Sequence, residues 1–311
     1  MAILLPSNEN ITKASKMLQD GGVVAFATET VYGLGCDTYN KEAIHKVYAS
    51  KGRPHHNPMI AHVIDIDAAK KLTPNWCNRC TKLAEEFWPG PLTIVVQKEK
   101  NIPNSACGGR ETIAIRCPAH EVARELLFIF GGPISAPSAN RSGYVSPTTA
   151  KHVEFEFGDD LTIIDGGPCT NGIESTVLSL LNKPTILRPG TITQSQIEAV
   201  VGEVVLDIST TQSNSPGTSS SHYAPATKTL LSLSKDIESQ SDSNSVALTL
   251  YCNPKIKQIK MPTQPEEYAQ KIYSALREAD NIGARVIYIE TPPNTPEWFA
   301  INDRLTRCAS G

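Results

Sequence analysis

Three side chains suited to holding an anion fall inside one eight-residue stretch, KGRPHHNP: Lys51 and Arg53 carry cations and Asn57 an amide. Pro54 and Pro58 interrupt regular helix and stiffen the loop, so the three could be held toward a polyphosphate. A solvated basic loop accounts for the same residues equally well. No GxxxxGK[ST] stretch occurs, which excludes an ordinary P-loop. A second segment, GGPISAPSANRSG at 131–143, supplies Ser135, Ser138, Asn140 and Arg141, with Ser146 just beyond. Small residues let backbone N–H groups approach a ligand, although a self-bonded turn cluster would have the same composition.

Arg116 interrupts the apolar run TIAIRCP. A buried, unpaired guanidinium is costly, so it must face an anion, a carboxylate of the protein or the solvent edge of a sheet. Arg188 in ILRPG poses the same question. His62 in MIAHVI fits packing as well as chemistry, and Glu29 between Thr28 and Thr30 fits a turn or a catalytic carboxylate. Neither a Ser-His-Asp order nor an H-E-x-x-H metal motif is present. Cys77 and Cys80 form a lone CxxC in a polar, helix-like stretch with no second ligand pair nearby. Structural zinc takes four ligands, so free thiols are the expectation there and no metal site is assigned.

The elements that must position these groups can be read from periodicity. Ile11, Ala14 and Leu18 repeat at helical spacing before Gly21 and Gly22, VVAFA at 23–27 reads as a buried strand, and TETVYGLG follows as a turn at its end. Open α/β sheets place ligand chemistry at such strand ends. Asn40 caps a helix running into the basic loop, and MIAHVI, PLTIVVQ and ETIAIRCP are the next strands. Helices are expected around 67–72, 81–87 and 119–130, strands at 161–164, 175–180 and in TILRPG, and a short helix before Gly202. Twelve of the 37 residues from Ser209 to Ser245 are serine, too polar to be all core, so 207–244 is expected to be an interdomain linker with a short element inside it. A smaller α/β unit over 245–311 follows, with strands at 246–251 and 284–290 and helices at 265–279 and from Thr295.

The chain resembles the threonylcarbamoyladenylate synthase family. The resemblance rests on TETVYGLG at 28–35, SKGRPHHNPM at 50–59, FWPGPLT at 87–93, IAIRCP, SAPSANRSG at 135–143, ESTV at 174–177 and ILRPG at 186–190. Seven motifs in one order cover about the first 205 residues, and the SPG-to-HYAP segment with the unit after it is similar to the two-domain branch. It implies α/β architecture, with a twisted mixed-sheet YrdC-like catalytic domain over 1–206 and a smaller Rossmann-like domain. The implied reaction converts L-threonine, bicarbonate and ATP into L-threonylcarbamoyladenylate, pyrophosphate and water, for threonylcarbamoylation of adenosine 37 in tRNA by downstream transfer machinery. Mg²⁺ would be bound mainly through ATP phosphates.

Carried over by the resemblance, Thr30, His62, Arg116, Ser138 and Thr176 surround threonine. Lys51, Arg53, Asn57, Thr112, Ser146, Arg188 and Tyr223 surround ATP, with Lys51 and Arg53 also acting on the transferring phosphate. The linker at 215–225 is implied to gate the site, although TSSS stands where two-domain relatives carry a basic and aromatic cluster. A double-stranded RNA-binding or nucleotide-sensing YrdC-like protein is the alternative. The charge sum, 29 basic against 32 acidic groups or −3, argues against a polycationic nucleic-acid binder and leaves direct tRNA contact open. With no run of about 18 apolar residues and no leader pattern, a cytoplasmic location is expected.

Overall fold

The computed structural model describes residues 3–207 and 223–310. Residues 215–222 of the expected gate, including TSSS and His222, lie outside them. Eleven strands of the first unit form one mixed sheet, ordered Ile3–Leu4, Thr162–Ile164, Val24–Phe26, Gly33–Asp37, Ile134–Ala136, Ile60–His62, Thr112–Arg116, Leu92–Gln97, Thr176–Ser179, Thr185–Arg188 and Val205–Leu206. Ile60–His62 runs parallel to Thr112–Arg116, in a register that sets His62 beside Arg116. Val24–Phe26 pairs antiparallel with Gly33–Asp37, which turns Thr28 and Thr30 back over the sheet's end. Two functional strand ends and a tight turn therefore converge.

Helices cover the sheet for reasons legible in their caps. The Ser7 side chain accepts from the Asn10 N–H to start the helix Asn8–Gln19, which buries Ile11, Ala14 and Leu18. It packs with Val122, Ala123, Leu126 and Leu127 of the helix Glu121–Phe130. Each buried Ile or Leu of this kind contributes about 1.5–3 kcal/mol. Asn40 caps the helix Lys41–Lys51 by accepting from the Glu42 and Ala43 N–H groups, and Gly52 ends it at φ 59°. Lys51 is thus delivered as the last residue of a helix whose inner face holds Ala43, Ile44, Val47 and Tyr48.

Two segments expected to be turns contain strands. GLGCD at 33–37 forms a full strand because Gly35 lets it press on Phe26: a Cβ there would meet the Phe26 ring at 2.7 Å. Ile134–Ala136 is likewise a strand between Gly-rich flanks. The helix Ala150–Phe157, capped by Thr149, lies in a stretch given no element from sequence.

The second unit is a four-stranded parallel sheet ordered Lys228–Ser232, Val286–Glu290, Ser245–Thr249 and Gln258–Lys260. Its first strand and the helix Ser234–Gln240 fall inside 207–244, two elements where one short one was expected. KTLLS supplies enough apolar surface, through Leu230 and Leu231, to add an edge strand despite its serine-rich surroundings. The long helix Pro265–Asn281 buries Tyr268, Ala269, Ile272, Tyr273 and Leu276. The final helix begins with the one-turn Pro296–Trp298 after Thr295 and continues as Phe299–Cys308. No helix among the described residues is long and apolar enough to cross a membrane.

Candidate functional site

A cleft at the strand ends is lined by Thr28, Thr30, Arg53, His62, Arg116, Pro137, Ser138, Glu174, Ser175, Arg188 and Tyr223, among others. Arg116, 3% exposed, has its carboxylate partner in Glu29, with Nη2 2.7 Å from Oε1. Its Nη1 donates to Thr30 Oγ1 at 2.8 Å and its Nε to the Gly90 carbonyl at 3.3 Å. The contact with Glu29 is an ion pair rather than an aligned hydrogen bond, because Arg116 Nη2 and both Glu29 oxygens have no hydrogen-bond partner of good geometry among the described residues. Buried polar capacity of that kind calls for a ligand or a water. Burial disfavours the Glu29 charge, but Arg116 outweighs it and holds the carboxyl below its ordinary value.

His62 is fixed in one tautomer by its surroundings. Its Nδ1 sits 3.3 Å from the Ile134 carbonyl and must donate to it, leaving Nε2 as an acceptor. Burial, reinforced by the Arg116 charge, lowers its pKa to about 3, so the ring is neutral at physiological pH.

The cations of the basic loop are buried as well. Lys51 Nζ donates to the carbonyls of Ser138, at 2.6 Å, and Asn140, tying the end of its helix to the SAPSAN turn. Burial, with Arg53 adding like-charge repulsion, pushes the Lys51 amine well below its ordinary value. Arg53 Nη2 donates to the Pro58 carbonyl at 3.0 Å, and burial lowers its pKa to about 10, which leaves it charged at neutral pH. Arg188 donates through Nε and Nη2 to the Ser175 carbonyl at 3.1 and 2.9 Å. Gly190 is required two residues later, since a Cβ would collide with the backbone of Ser175 and Thr176.

The second unit backs one wall of the cleft, where Tyr273 and Arg304 hold Glu174 and Tyr223 from behind. Glu174 accepts from Ser146 Oγ at 2.6 Å, Tyr273 Oη at 2.8 Å and Arg304 Nε at 2.9 Å. Burial opposes its charge, yet Arg304 and Arg188 prevail and hold its pKa at about 2. Arg304, fully buried, also donates to the Pro189 carbonyl at 2.8 Å and lies 5.3 Å over the Tyr223 ring. Tyr223 stacks on Tyr273 at 5.6 Å and is held at φ 63°, a conformation unusual outside glycine.

Of the twelve residues singled out from sequence, Thr30, Arg53, His62, Arg116, Ser138, Arg188 and Tyr223 line this cleft. Lys51 and Ser146 stand directly behind it through Ser138 and Glu174. Thr176 does not line it: its hydroxyl donates to the Ile192 carbonyl at 2.7 Å, and the preceding Ser175 faces the cleft instead. Asn57 contributes its carbonyl to Tyr48 and Arg53 rather than its amide to the cleft. Thr112 sits at the start of its strand, in register with Gln97. Sequence reasoning missed Glu174, Ser175, Tyr273 and Arg304 as one cluster, although ESTV was already a marked motif.

Two family models match the chain, one described as "Telomere recombination" over residues 16–190 and one as "Threonylcarbamoyl-AMP synthase, C-terminal domain" over 192–310. The Threonylcarbamoyl-AMP synthase of Bacillus subtilis is 37% identical, over 99% of this chain and 95% of its own length. That of Pyrococcus abyssi is 35% identical, over 100% of this chain and 98% of its own. The chain belongs to the threonylcarbamoyl-AMP synthase family. The crystal structure of Pyrococcus abyssi Sua5 complexed with L-threonine superimposes with a TM-score of 0.93 at 32% identity, covering 99% of this chain and 98% of that one. Escherichia coli YciO shares the fold of the first unit, with a TM-score of 0.53 at 20% identity over 61% of this chain and 94% of its own. The synthase family thus spans both units.

Proposed function

We propose that this chain joins L-threonine, bicarbonate and ATP into L-threonylcarbamoyladenylate, with pyrophosphate and water as the other products. The observation that carries this reading is the Arg116, Thr30 and His62 group at the strand ends, in a chain that matches a threonine-bound relative over nearly its whole length. Arg116 receives the threonine α-carboxylate on Nη2, while Glu29 and Thr30 keep the guanidinium aimed. His62 Nε2 accepts from the threonine hydroxyl, and the neutral ring adds no second charge beside Arg116. Ser138 completes this end of the cleft. Thr176 acts from behind, by fixing the strand that presents Ser175.

The threonine amine, once deprotonated, adds to bicarbonate carbon with loss of water. The resulting carbamate oxygen is anionic, attacks the α-phosphorus of ATP and expels pyrophosphate. Arg53, Lys51 and Arg188 offset the charge that builds on the phosphate chain, and alignment of the two substrates supplies much of the rate. Tyr223 completes the ATP side, Ser146 supports it through its bond to Glu174, Asn57 through the carbonyl that accepts from Arg53, and Thr112 from the start of the strand that ends in Arg116. The two carboxylates nearest the cleft, Glu29 and Glu174, are committed to Arg116 and Arg304. Mg²⁺ therefore fits as a partner of ATP phosphate oxygens rather than of a protein cage.

The catalytic unit of this reading spans residues 1–206, and the second unit docks on it to steady Tyr223. The mixed anhydride is reactive, so tRNA-modifying transfer machinery in the cytoplasm is its expected consumer. Pyrophosphate release measured with each substrate omitted in turn tests the assignment: loss on omitting threonine or bicarbonate is expected, and release that needs ATP alone would sink it.

A further inference from the structure

We infer that Cys77 and Cys80 form a reversible dithiol–disulfide couple, a redox site separate from the ATP and threonine cleft. The two sulfurs lie 3.4 Å apart. Cys77 is exposed at the N-cap of the helix Asn78–Phe87, and Cys80 is fully buried in its first turn. One thiol is thus presented to a reagent while the other waits behind it, which is the division of labour that attack and resolution require. The pair thus straddles the start of the helix, with Cys77 at the N-cap position and Cys80 inside the first turn.

The local chemistry favours the same roles. Burial raises the Cys77 pKa, but the backbone N–H of Cys80, the Cys80 thiol and the N–H of Arg79 outweigh it, so the thiol ionises more easily than usual. Burial pushes Cys80 up to about 12, which keeps it protonated until a mixed disulfide forms next to it. A metal is the weaker occupant, because among the described residues no group of three or more His, Cys, Asp or Glu side chains could hold one. Cys36, Cys107, Cys117, Cys169 and Cys308 are buried elsewhere, so Cys77 has Cys80 as its partner within reach.

A low-molecular-weight disulfide such as oxidised glutathione is the oxidant. The Cys77 thiolate attacks one of its sulfurs, forming a mixed disulfide and releasing one glutathione thiolate. Cys80 then loses its proton to solvent and attacks the Cys77 sulfur, expelling the second thiolate. Two protein thiols are oxidised, one small disulfide is reduced to two thiols, and reduced glutathione reverses both steps.

The test uses the full chain carrying Cys252→Ser, since Cys252 is the other exposed cysteine among the described residues. After equilibration across reduced-to-oxidised glutathione ratios and alkylation, peptide masses should show two thiols lost together as a Cys77–Cys80 disulfide, restored by reduced glutathione. Cys80→Ser should stop at a glutathione adduct on Cys77, and Cys77→Ser should leave Cys80 unmodified. A stable adduct on Cys77 with Cys80 present, or both thiols free even in fully oxidised glutathione, would overturn the proposal.

Discussion

Replacing Arg304 with Met should expose how strongly the second unit is built into the site. The change keeps most of the side chain's volume and strands Glu174 as a buried carboxylate beside Ser146 and Tyr273. Glu174 is held at about 2 against an ordinary 4.5. At about 1.4 kcal/mol per pKa unit, the net gain of the charged form from Arg304, Arg188 and Ser146 over burial is roughly 3 kcal/mol, and removing one partner of a buried pair costs about 3–5 kcal/mol. Because the folded pKa is depressed, this contribution is fully present above pH 4.5 and disappears as pH falls toward 2. Urea unfolding of the wild type, Arg304→Met, Glu174→Gln and the double variant forms the assay. The double variant should recover much of the loss from Arg304→Met alone, because no uncompensated charge remains. Losses that add to within about 0.5 kcal/mol would refute the coupling, and with it the view that the two units share one electrostatic core.

Arg116→Ala, if folded, should weaken threonine binding by about 2–5 kcal/mol in calorimetry, and unchanged affinity would remove Arg116 from the carboxylate. Lys51→Met should depress adenylate formation far more than threonine binding without ATP. Because burial lowers the Lys51 pKa, ATP binding should take up a proton in the wild type and not in this variant, as read by calorimetry in buffers of different ionisation enthalpy. For His62, with a folded pKa of about 3 against about 6.5 unfolded, the unfolded chain binds the proton first. Stability should therefore fall as pH drops below about 6.5, and His62→Gln should flatten the curve between pH 6.5 and 4.5, before the Glu174 contribution begins to be lost.

The cations were legible in the sequence because each stood where composition alone makes no sense of it: Arg116 inside an apolar strand, Lys51 and Arg53 beside rigid prolines. Their partners were not. Glu29 lies 87 positions before Arg116 in the numbering, and only the return of the chain through Gly33–Asp37 brings them together. The Glu174 and Arg304 pair crosses between two units, and no local pattern announces it. Thr176 and Ser175 illustrate a finer limit, since successive side chains of extended backbone at the start of a strand face opposite ways and a one-residue choice decides which hydroxyl reaches the cleft. The edge strand Lys228–Ser232 was hidden because serine-rich flanks masked two adjacent leucines that suffice for pairing.

The central claim meets its most direct test in one reaction: purified chain with ATP, L-threonine and labelled bicarbonate, the products resolved by mass. A species with the mass of threonylcarbamoyladenylate, carrying the bicarbonate carbon and formed with matching pyrophosphate, is the predicted result. Its appearance should require threonine and be lost in Arg116→Ala. ATP hydrolysis without any labelled adenylate, or an adenylate lacking the bicarbonate carbon, would contradict it.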